Sequence, residues 1–441
     1  MKKRLLIMGL TALNLIALAS CGPTSSPSDS ATKNLLEEDK SSLKEASYSS
    51  STEVIFSEYF EGSSSNRALE LYNFTDNDVD LGAYSIYIYT TADLVPTYAY
   101  KLKGTLKAKS TYVIVGHEAD EALIEKADAL STFTFQGKQS IALVKEGNIV
   151  DVLGNIGFRT DWGKDCTFVR KVDHLLPETL KDNKLLFDTY SWIKYNKEYS
   201  KLLGNVENTV TPEELLLGPQ LNEDWLEVPF AKYNSSKALI GSGGTIRINL
   251  YRGIDGDTSY FHFPPSFVFD GNTVKLSDIA DVSNGDVVKV RYQAIDTTES
   301  YPGNIEEWGY PAKEYTTKLL HSAKELYVQT NLDGSLQDSY GGRIMGFVFC
   351  YGGQDIKGND YTGRYVMSNF LTVKYGLSEK CSVEDISPEL QWKDVPYSSY
   401  FTNAFEYAKR QGYGLFGEKD PYWDYEKNEY NGKKIEGIDY F

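Results

Sequence analysis

Seven short runs between residues 51 and 204 constrain this chain most: EVIFSEYF, ALELYNF, YSIYIYT, TYVIVG, SIALVK, NIVDVLG and TFVRK. Each is too short for an ordinary helix and rich in β-branched or aromatic residues. Turn clusters such as EGSSSN, FTDND and KEGN separate them. Many short strands at close spacing predict an all-β, Ig-like sandwich over residues 51–204. The 33 tyrosines and 36 glycines of the 441-residue chain agree with a strand-and-turn architecture. No catalytic set stands out in this region, because His117 and His174 are isolated.

The N-terminus reads as a processing signal. MKKR is basic, and the apolar run after it is short for a membrane span. It ends in Leu18-Ala19-Ser20-Cys21, which resembles a bacterial lipobox. The resemblance implies a signal peptide over residues 1–20, lipidation of Cys21 and an extracytoplasmic protein anchored to the cell membrane. Residues 21–50 are Ser-rich and read as a flexible linker that allows a short helix over Asn34–Ala46. Cys166, Cys350 and Cys381 are far apart and form no Cys-x-x-Cys pair, which argues against zinc. Their odd number leaves at least one thiol free unless two chains pair.

Within the strand-rich region, the stretch EGSSSNRALELYN (61–73), the VDL at Val79, the TYVI at Thr111 and the VDVLG at Val150 resemble the lamin-tail domain family. That resemblance implies a binding or positioning module without catalysis.

Residues 205–240, containing PEELLLGPQ, read as a connector. Residues 241–420 then carry β-like runs (TIRINLYR, TSYFHF, DVVKVRYQAID, YVQTNL and RIMGFVFCY) interleaved with helical periodicity. Helices are predicted over Tyr310–Ala323, within YVMSNFLTVKYG, and within SSYFTNAFEYAKRQG, the last ending at Gly412. Residues 421–441 read as an irregular tail.

One turn in this region asks for more than a turn explains. In GIDGDTSYF (253–261), Asp255 and Gly256 suit a hairpin whose glycine takes a positive φ. Asp257 falls where the returning strand should start, a position that disfavours Asp. A plain turn remains one reading of the stretch alone. Three further pieces come after it in order: VKVRYQAIDTTE (288–299), EWGYPA (307–312) and DSYGGR (338–343).

Together the four resemble the staphylococcal nuclease (thermonuclease) family. The resemblance implies an α+β, OB-type five-stranded barrel with three helices and Ca²⁺-dependent hydrolysis of phosphodiester bonds in DNA and RNA. It makes Asp257 and Asp296 carboxylate ligands of Ca²⁺, with the Thr297 carbonyl as a third donor. Glu299 becomes the acid that orients or deprotonates the attacking water. Arg291 and Arg343 become phosphate clamps, and Tyr340 flanks the nucleotide. Such a donor set suits a hard cation bound weakly, on the order of 0.1–1 mM. Strand-face ion pairing of Arg291, a strand-end turn at Asp296–Thr297, a solvated loop acid at Glu299 and a surface charge at Arg343 are the plain structural readings of the same residues.

The chain departs from the family pattern twice. Thr298 stands where the family has Pro, and DSYGGR holds one Gly more than its usual turn. Both bear on how Glu299 and Arg343 are placed.

Charge limits the partners. The chain carries a net charge of −17, and residues 241–420 hold 17 Lys and Arg against 24 Asp and Glu. A broad electrostatic grip on nucleic acid is excluded, and any polyanion site has to be local. Two expectations result. The first is a monomeric, surface-anchored nuclease of little sequence specificity, with the lamin-tail-like domain positioning it or binding a surface partner. The second is a lipoprotein that binds nucleic acid or a surface partner without useful catalysis. No Gly-x-Ser-x-Gly elbow, phosphate-loop motif or His-Glu-x-x-His helix points to another enzyme class.

Overall fold

The computed structural model describes residues 33–222, 224–269, 272–280, 285–339 and 342–436. The signal-like segment, Cys21 and Tyr340 lie outside these residues.

The first half is a strand sandwich. Its long strands are β1 (Val54–Glu61), β2 (Arg67–Asn73), β3 (Tyr84–Tyr89), β4 (Tyr98–Lys101), β5 (Thr111–Gly116), β6 (Ala129–Ser131), β7 (Ser140–Lys145), β8 (Asn148–Leu153), β9 (Cys166–Arg170) and β10 (Trp192–Asn196). One sheet runs β6-β5-β2-β1-β9-β10 and the other β4-β3-β7-β8. Phe56, Leu69, Leu71, Ile86, Ile88, Ile114, Ile141 and Leu143 fill the space between them.

Every position of β1 and β2 is buried, so these strands are covered on both faces. The second face packs Phe60, Ala68, Val113 and Val115 against Leu123 and Leu203. An Arg–Asp pair ties the two sheets together. Arg170 meets Asp151 at 2.7 Å, and Asp151 also accepts the Phe56 N–H at 2.8 Å. Arg170 stacks 4.6 Å from the Trp192 ring centre.

Residues 34–48 do not form the expected free linker or helix. Asn34–Leu35 pairs with β6, Glu37–Glu38 with β4 and Ser47–Tyr48 with β8, while Leu36 is buried in the core. The unpaired backbone of sheet edges is satisfied this way, and that outweighs a weak helical preference.

The second half closes a sheet on itself. Strands β11 (Thr245–Gly253), β12 (Thr258–His262), β13 (Val287–Tyr292), β14 (Glu325–Gln329) and β15 (Arg343–Tyr351) come in sequence. The order β13-β12-β11-β14-β15 is completed by a parallel β13–β15 pairing, giving five strands in a ring. Val288, Val290 and Tyr292 are buried, while Val287, Lys289 and Arg291 alternate outward.

Three helices pack on this ring: α1 (Gly309–Ser322), α2 (Ser368–Lys374) and α3 (Tyr397–Gln411). The periodicity of the sequence located all three. Helix α3 ends at Gly412 with a φ of 67°, the left-handed cap the glycine allows. Buried Asn369 on α2 clamps the parallel seam. Its Nδ2 donates to the carbonyls of Gln293 (2.9 Å) and Gly346 (3.1 Å), and its Oδ1 accepts from the Val348 N–H at 2.9 Å.

The two halves share one apolar core, in which Ile193 and Tyr195 of β10 join Tyr397, Tyr400 and Phe401 of α3. The Asn196 amide donates to the Pro388 carbonyl at 2.7 Å, and Lys201 pairs with Asp394 at 2.9 Å. The connector is part of this union. A short helix, Pro212–Leu217, begins with a capping box between Thr211 and Glu214, and Phe230 and Ala231 are core residues.

The C-terminal stretch is also folded where described. Trp423–Asp424 pairs with Glu429–Tyr430, and Tyr310 packs against Tyr422 and Tyr430. The reason lies at the start of α1. Trp308 is left-handed there and gives no side-chain cap, and Asp420, directly before the tail, accepts the Trp308 N–H at 2.7 Å.

The three described cysteines, Cys166, Cys350 and Cys381, are free. Burial pushes the thiols of Cys166 and Cys381 up to about 12, which makes them poor nucleophiles. Among the described residues no helix is long and apolar enough to cross a membrane.

Candidate functional site

The β11–β12 turn, the end of β13 and the segment after it meet at one end of the five-stranded ring. The turn is held by N–H bonds from Ile254 and Asp255 to the Thr258 carbonyl. Gly256 does not adopt the expected positive φ. It is needed for space instead. A Cβ there would lie 2.6 Å from the Ala312 Cβ and 2.8 Å from Thr297 Cγ2. The turn therefore presses against α1, and Thr316 Oγ1 donates to the Gly256 carbonyl at 2.8 Å.

That placement buries Asp257, which is 1% exposed. Its Oδ2 accepts the Thr297 N–H at 2.7 Å and the Thr297 hydroxyl at 3.1 Å. Its Oδ1 accepts the Thr258 hydroxyl at 2.9 Å and a guanidinium N–H of Arg291. The other arm of Arg291 reaches Asp296 at 2.7 Å and the Ile295 carbonyl at 3.2 Å. Thus Asp257, Arg291, Asp296 and Thr297 are brought into direct contact.

Partial burial works against the Asp296 charge, but Arg291 and Lys380 win and hold its carboxyl below the usual value. Burial also works against the Arg291 charge, and Asp257 and Asp296 more than offset it.

Glu299 sits beside this group, half-buried, and no hydrogen bond or ion pair engages its carboxylate among the described residues. Burial first, then Asp257 and Glu306, push its carboxyl up. Its backbone is fixed: the Glu299 N–H donates to the Glu306 carboxylate at 3.0 Å and its carbonyl accepts the Glu306 N–H at 2.9 Å. Gly309 lets α1 approach this carbonyl, since a Cβ there would stand 2.1 Å from it.

Arg343 stands on the neighbouring strand of the seam. It pairs in register with Lys289, two residues before Arg291, and its guanidinium is held by Asp338. Gly342 of this turn, directly before β15, takes a φ of 80°.

Three contributors were missed by the sequence reading. Asp255, assigned to the turn alone, is pushed up to about 7 by burial and by Asp257. Ser378 accepts the Asp296 N–H at 3.0 Å, and Lys380 pairs with Asp296 at 3.1 Å. No local signal marks Ser378 and Lys380, because they arrive from a segment beyond α2.

Four carboxylates (Asp255, Asp257, Asp296 and Glu299) are therefore grouped with Arg291 and Lys380, and the buried Lys313 of α1 acts on Asp255. An excess of oxygen donors and negative charge is the chemistry a hard divalent cation takes. Among the described residues no three such side chains already converge on one point, since the Arg291 fork lies between Asp257 and Asp296. The donor types, carboxylates and a backbone carbonyl, are those a hard divalent cation takes, while the Arg291 fork occupies Asp257 and Asp296.

Outside the acidic group the strand face turns basic and aromatic. Arg252, Tyr260, Lys289 and Arg343 form one cross-strand row over β11, β12, β13 and β15. Arg252 and Lys289 lie 5.2 and 5.9 Å from the Tyr260 ring centre. In a chain of net charge −17 this is a local concentration of positive charge.

No curated protein matches the chain. Residues 47–157 match the family model of the Lamin Tail Domain, so the sandwich of this multidomain, strand-rich chain is built on a lamin tail, Ig-like domain, to which β9 and β10 add two strands.

Proposed function

We propose that residues 241–420 are a staphylococcal-nuclease-like OB-type domain, and that the protein is a Ca²⁺-dependent nuclease. It would hydrolyse phosphodiester bonds of DNA and RNA with little sequence specificity, tethered outside the cell membrane through a lipid on Cys21. The observation that carries this reading is the joining of Asp257, Arg291, Asp296 and Thr297 at one end of a closed five-stranded ring, with Glu299 alongside. The sandwich, whose strands β9 and β10 share a core with the ring, would hold the site at a fixed orientation.

In this reading Asp257, Asp296 and the Thr297 carbonyl hold Ca²⁺, which when bound supplies Lewis acidity to a phosphate oxygen. Glu299 has an unengaged carboxylate of raised proton affinity, which suits it to take a proton from water. Arg291, released from one of its two carboxylates, presents a two-pronged N–H fork to phosphate oxygens. Arg343 offers a second fork from β15. The row of Arg252, Tyr260 and Lys289 gives a polyanion a local track that the domain's overall charge does not.

A second reading has one observation in its favour. Arg291 already pairs with both Asp257 and Asp296, as a purely structural ion-pair network would. The chain would then be a surface lipoprotein that binds nucleic acid or a surface partner without cleaving it.

Residues 34–441 form one compact unit, and this unit serves as the test protein. It is incubated with single-stranded DNA, plasmid and RNA, with Ca²⁺ or with chelator, beside Glu299→Gln and Arg343→Ala. Ca²⁺-dependent cutting that both variants lose is expected. No cutting at millimolar Ca²⁺ overturns the enzyme reading and leaves the binding one.

A further inference from the structure

The outer face of the ring carries a second feature beside the acidic group. Strand β11 bulges there. Leu250 stands opposite Phe261 and Arg252 opposite Tyr260, which leaves Tyr251 as the extra residue. A bulge re-aims side chains at a sheet surface. Here Tyr251 and Arg252 line one open hollow of about 390 Å³ together with Tyr260 and Val287. We propose that this hollow binds one unpaired base of a single-stranded nucleic acid, beside the nucleotide held at the acidic group.

Tyr251 supplies the platform. It is 54% exposed. Its ring stands at right angles to those of Tyr260 and His262, with 6.5 and 5.4 Å between centres, so neither lies flat against it. An aromatic face in water without a flat partner is a surface on which a base stacks. Tyr260 has a different task. Arg252 and Lys289 lie 5.2 and 5.9 Å from its ring centre, an arrangement that steadies two cations at the edge of the hollow. Neither cation forms an ion pair among the described residues. Asp286, the acid directly before β13, is taken up by His262 at 3.1 Å.

These groups define the occupant. A polyanion without bases would use Arg252 and Lys289 but leave Tyr251 in water. An uncharged aromatic molecule would use Tyr251 and leave the cations. A nucleotide within a strand uses all three. Register places the hollow relative to the acidic group. Thr258 pairs with Arg291 and Tyr260 with Lys289, so the hollow begins one two-residue step, about 7 Å, from the Arg291 fork. A strand with a phosphate at Arg291 therefore carries its neighbouring nucleotide over Lys289 and Tyr251. In a duplex the base faces are covered by their neighbours, so only an unpaired base stacks on the exposed ring.

The inference rests on the reading of the acidic end as a nucleic-acid site, but not on cleavage. It is tested with the unit of residues 34–441 in chelator, where fluorescence anisotropy reads binding of a labelled single-stranded octathymidylate. The comparisons are an abasic strand of the same length, a blunt duplex and polyphosphate. Tyr251→Ala removes the platform and Tyr251→Phe keeps it. The octathymidylate is expected to bind at least fivefold more tightly than the other three probes, and Tyr251→Ala to lose roughly that factor while Tyr251→Phe retains it. The abasic strand asks the same question of the unaltered protein. Equal binding of the abasic strand or of polyphosphate overturns the proposal, as does a tighter duplex, unchanged affinity in Tyr251→Ala, or no binding of any strand. Cutting with Ca²⁺ is scored separately. A protein that binds in this pattern without cutting loses the nuclease reading and keeps the base site, and one that cuts without this pattern does the reverse.

Discussion

Two Arg–Asp groups in this molecule share their chemistry and differ in everything around it. Arg170 and Asp151 lie between the sheets of the sandwich, each side chain 1% exposed. Arg291 lies at the end of the ring, 20% exposed, and divides itself between Asp257 and Asp296. The proton affinities diverge accordingly. Burial outweighs Arg170 and raises the Asp151 carboxyl, whereas Arg291 and Lys380 outweigh burial and lower that of Asp296. The first pair is closed, its charges committed to fixing two sheets. The second has surplus acids, Asp255 and Glu299, and an accessible cation. Surplus charge that the fold does not neutralise separates a candidate site from a structural bridge.

The largest effect expected from this contrast is on stability. Arg170→Ala leaves Asp151 buried without its partner, and breaking such a pair costs roughly 3–5 kcal/mol. Arg291 is 20% exposed where Arg170 is 1% exposed, so water replaces more of what Arg291→Ala removes and its loss is smaller. Urea unfolding of both variants measures the difference, and equal losses would erase the distinction drawn between the two groups. On activity the ranking reverses. Arg291→Ala lowers Ca²⁺-dependent hydrolysis on the order of 10²–10³-fold, while Arg170→Ala leaves the rate per folded molecule unchanged, as single-turnover assays at low temperature can test.

The two regions also make separate pH signatures. In the sandwich, Glu58 and Glu70 face each other across β1 and β2, and both Glu58 oxygens are buried without partners. Burial, opposed in part by Ser57 and the Gly204 N–H, raises Glu70 from 4.5 to about 7. Burial and Glu70 raise Glu58 well above its usual value. A carboxyl whose folded pKa exceeds its unfolded one stabilises the fold fully below the unfolded pKa. That contribution is lost as pH rises through the folded value. Stability therefore falls between about pH 4.5 and about pH 7, by an amount on the order of a few kcal/mol. Glu70→Gln flattens this fall. Asp255, raised from 3.8 to about 7, adds a parallel fall that Asp255→Asn removes and that Ca²⁺ at the acidic group should suppress. Unfolding midpoints at pH 5 and pH 8, with and without Ca²⁺, separate the two: a Ca²⁺ effect carried by Glu70 instead of Asp255 would put the cation elsewhere.

Much of the architecture was legible in local pattern. The seven runs of the sandwich and the five of the ring became strands because alternation and turn chemistry agree at each. Gly412 ended α3 where a left-handed cap was needed. The features that stayed hidden depend on contacts made from afar. Nothing in Asn34–Tyr48 announces that sheet edges will recruit it, and nothing near Trp308 announces that Asp420 will cap it. EVIFSEYF hides a buried acid, since Glu58 falls on a face that residues 119–127 and 199–204 cover. The candidate site divides the same way. Asp257, Arg291, Asp296 and Thr297, which only a family resemblance grouped, are in contact, and the reason for Gly256 was space against Ala312 and not backbone sign. Ser378 and Lys380 approach Asp296 only through the packing of α2 and of the segment that leaves it.

The smallest effect probes how the loop carrying Glu299 is set. Thr298 replaces the Pro of the resembling family, and its hydroxyl is buried without a hydrogen-bond partner, as is that of Ser300 on the other side of Glu299. Two unsatisfied hydroxyls bracketing one acid make the segment less stable than its burial alone would. Thr298→Val keeps the branched shape and removes the orphan, so it should stabilise the protein by roughly 1 kcal/mol. If the orphan reflects a loop that tightens when substrate or cation is present, the same change slows hydrolysis severalfold without weakening substrate binding. Paired measurements of unfolding midpoint, kcat and KM decide it. A gain in stability with kcat untouched assigns the hydroxyl to packing, and leaves Glu299 positioned by Glu306 and Gly309 alone.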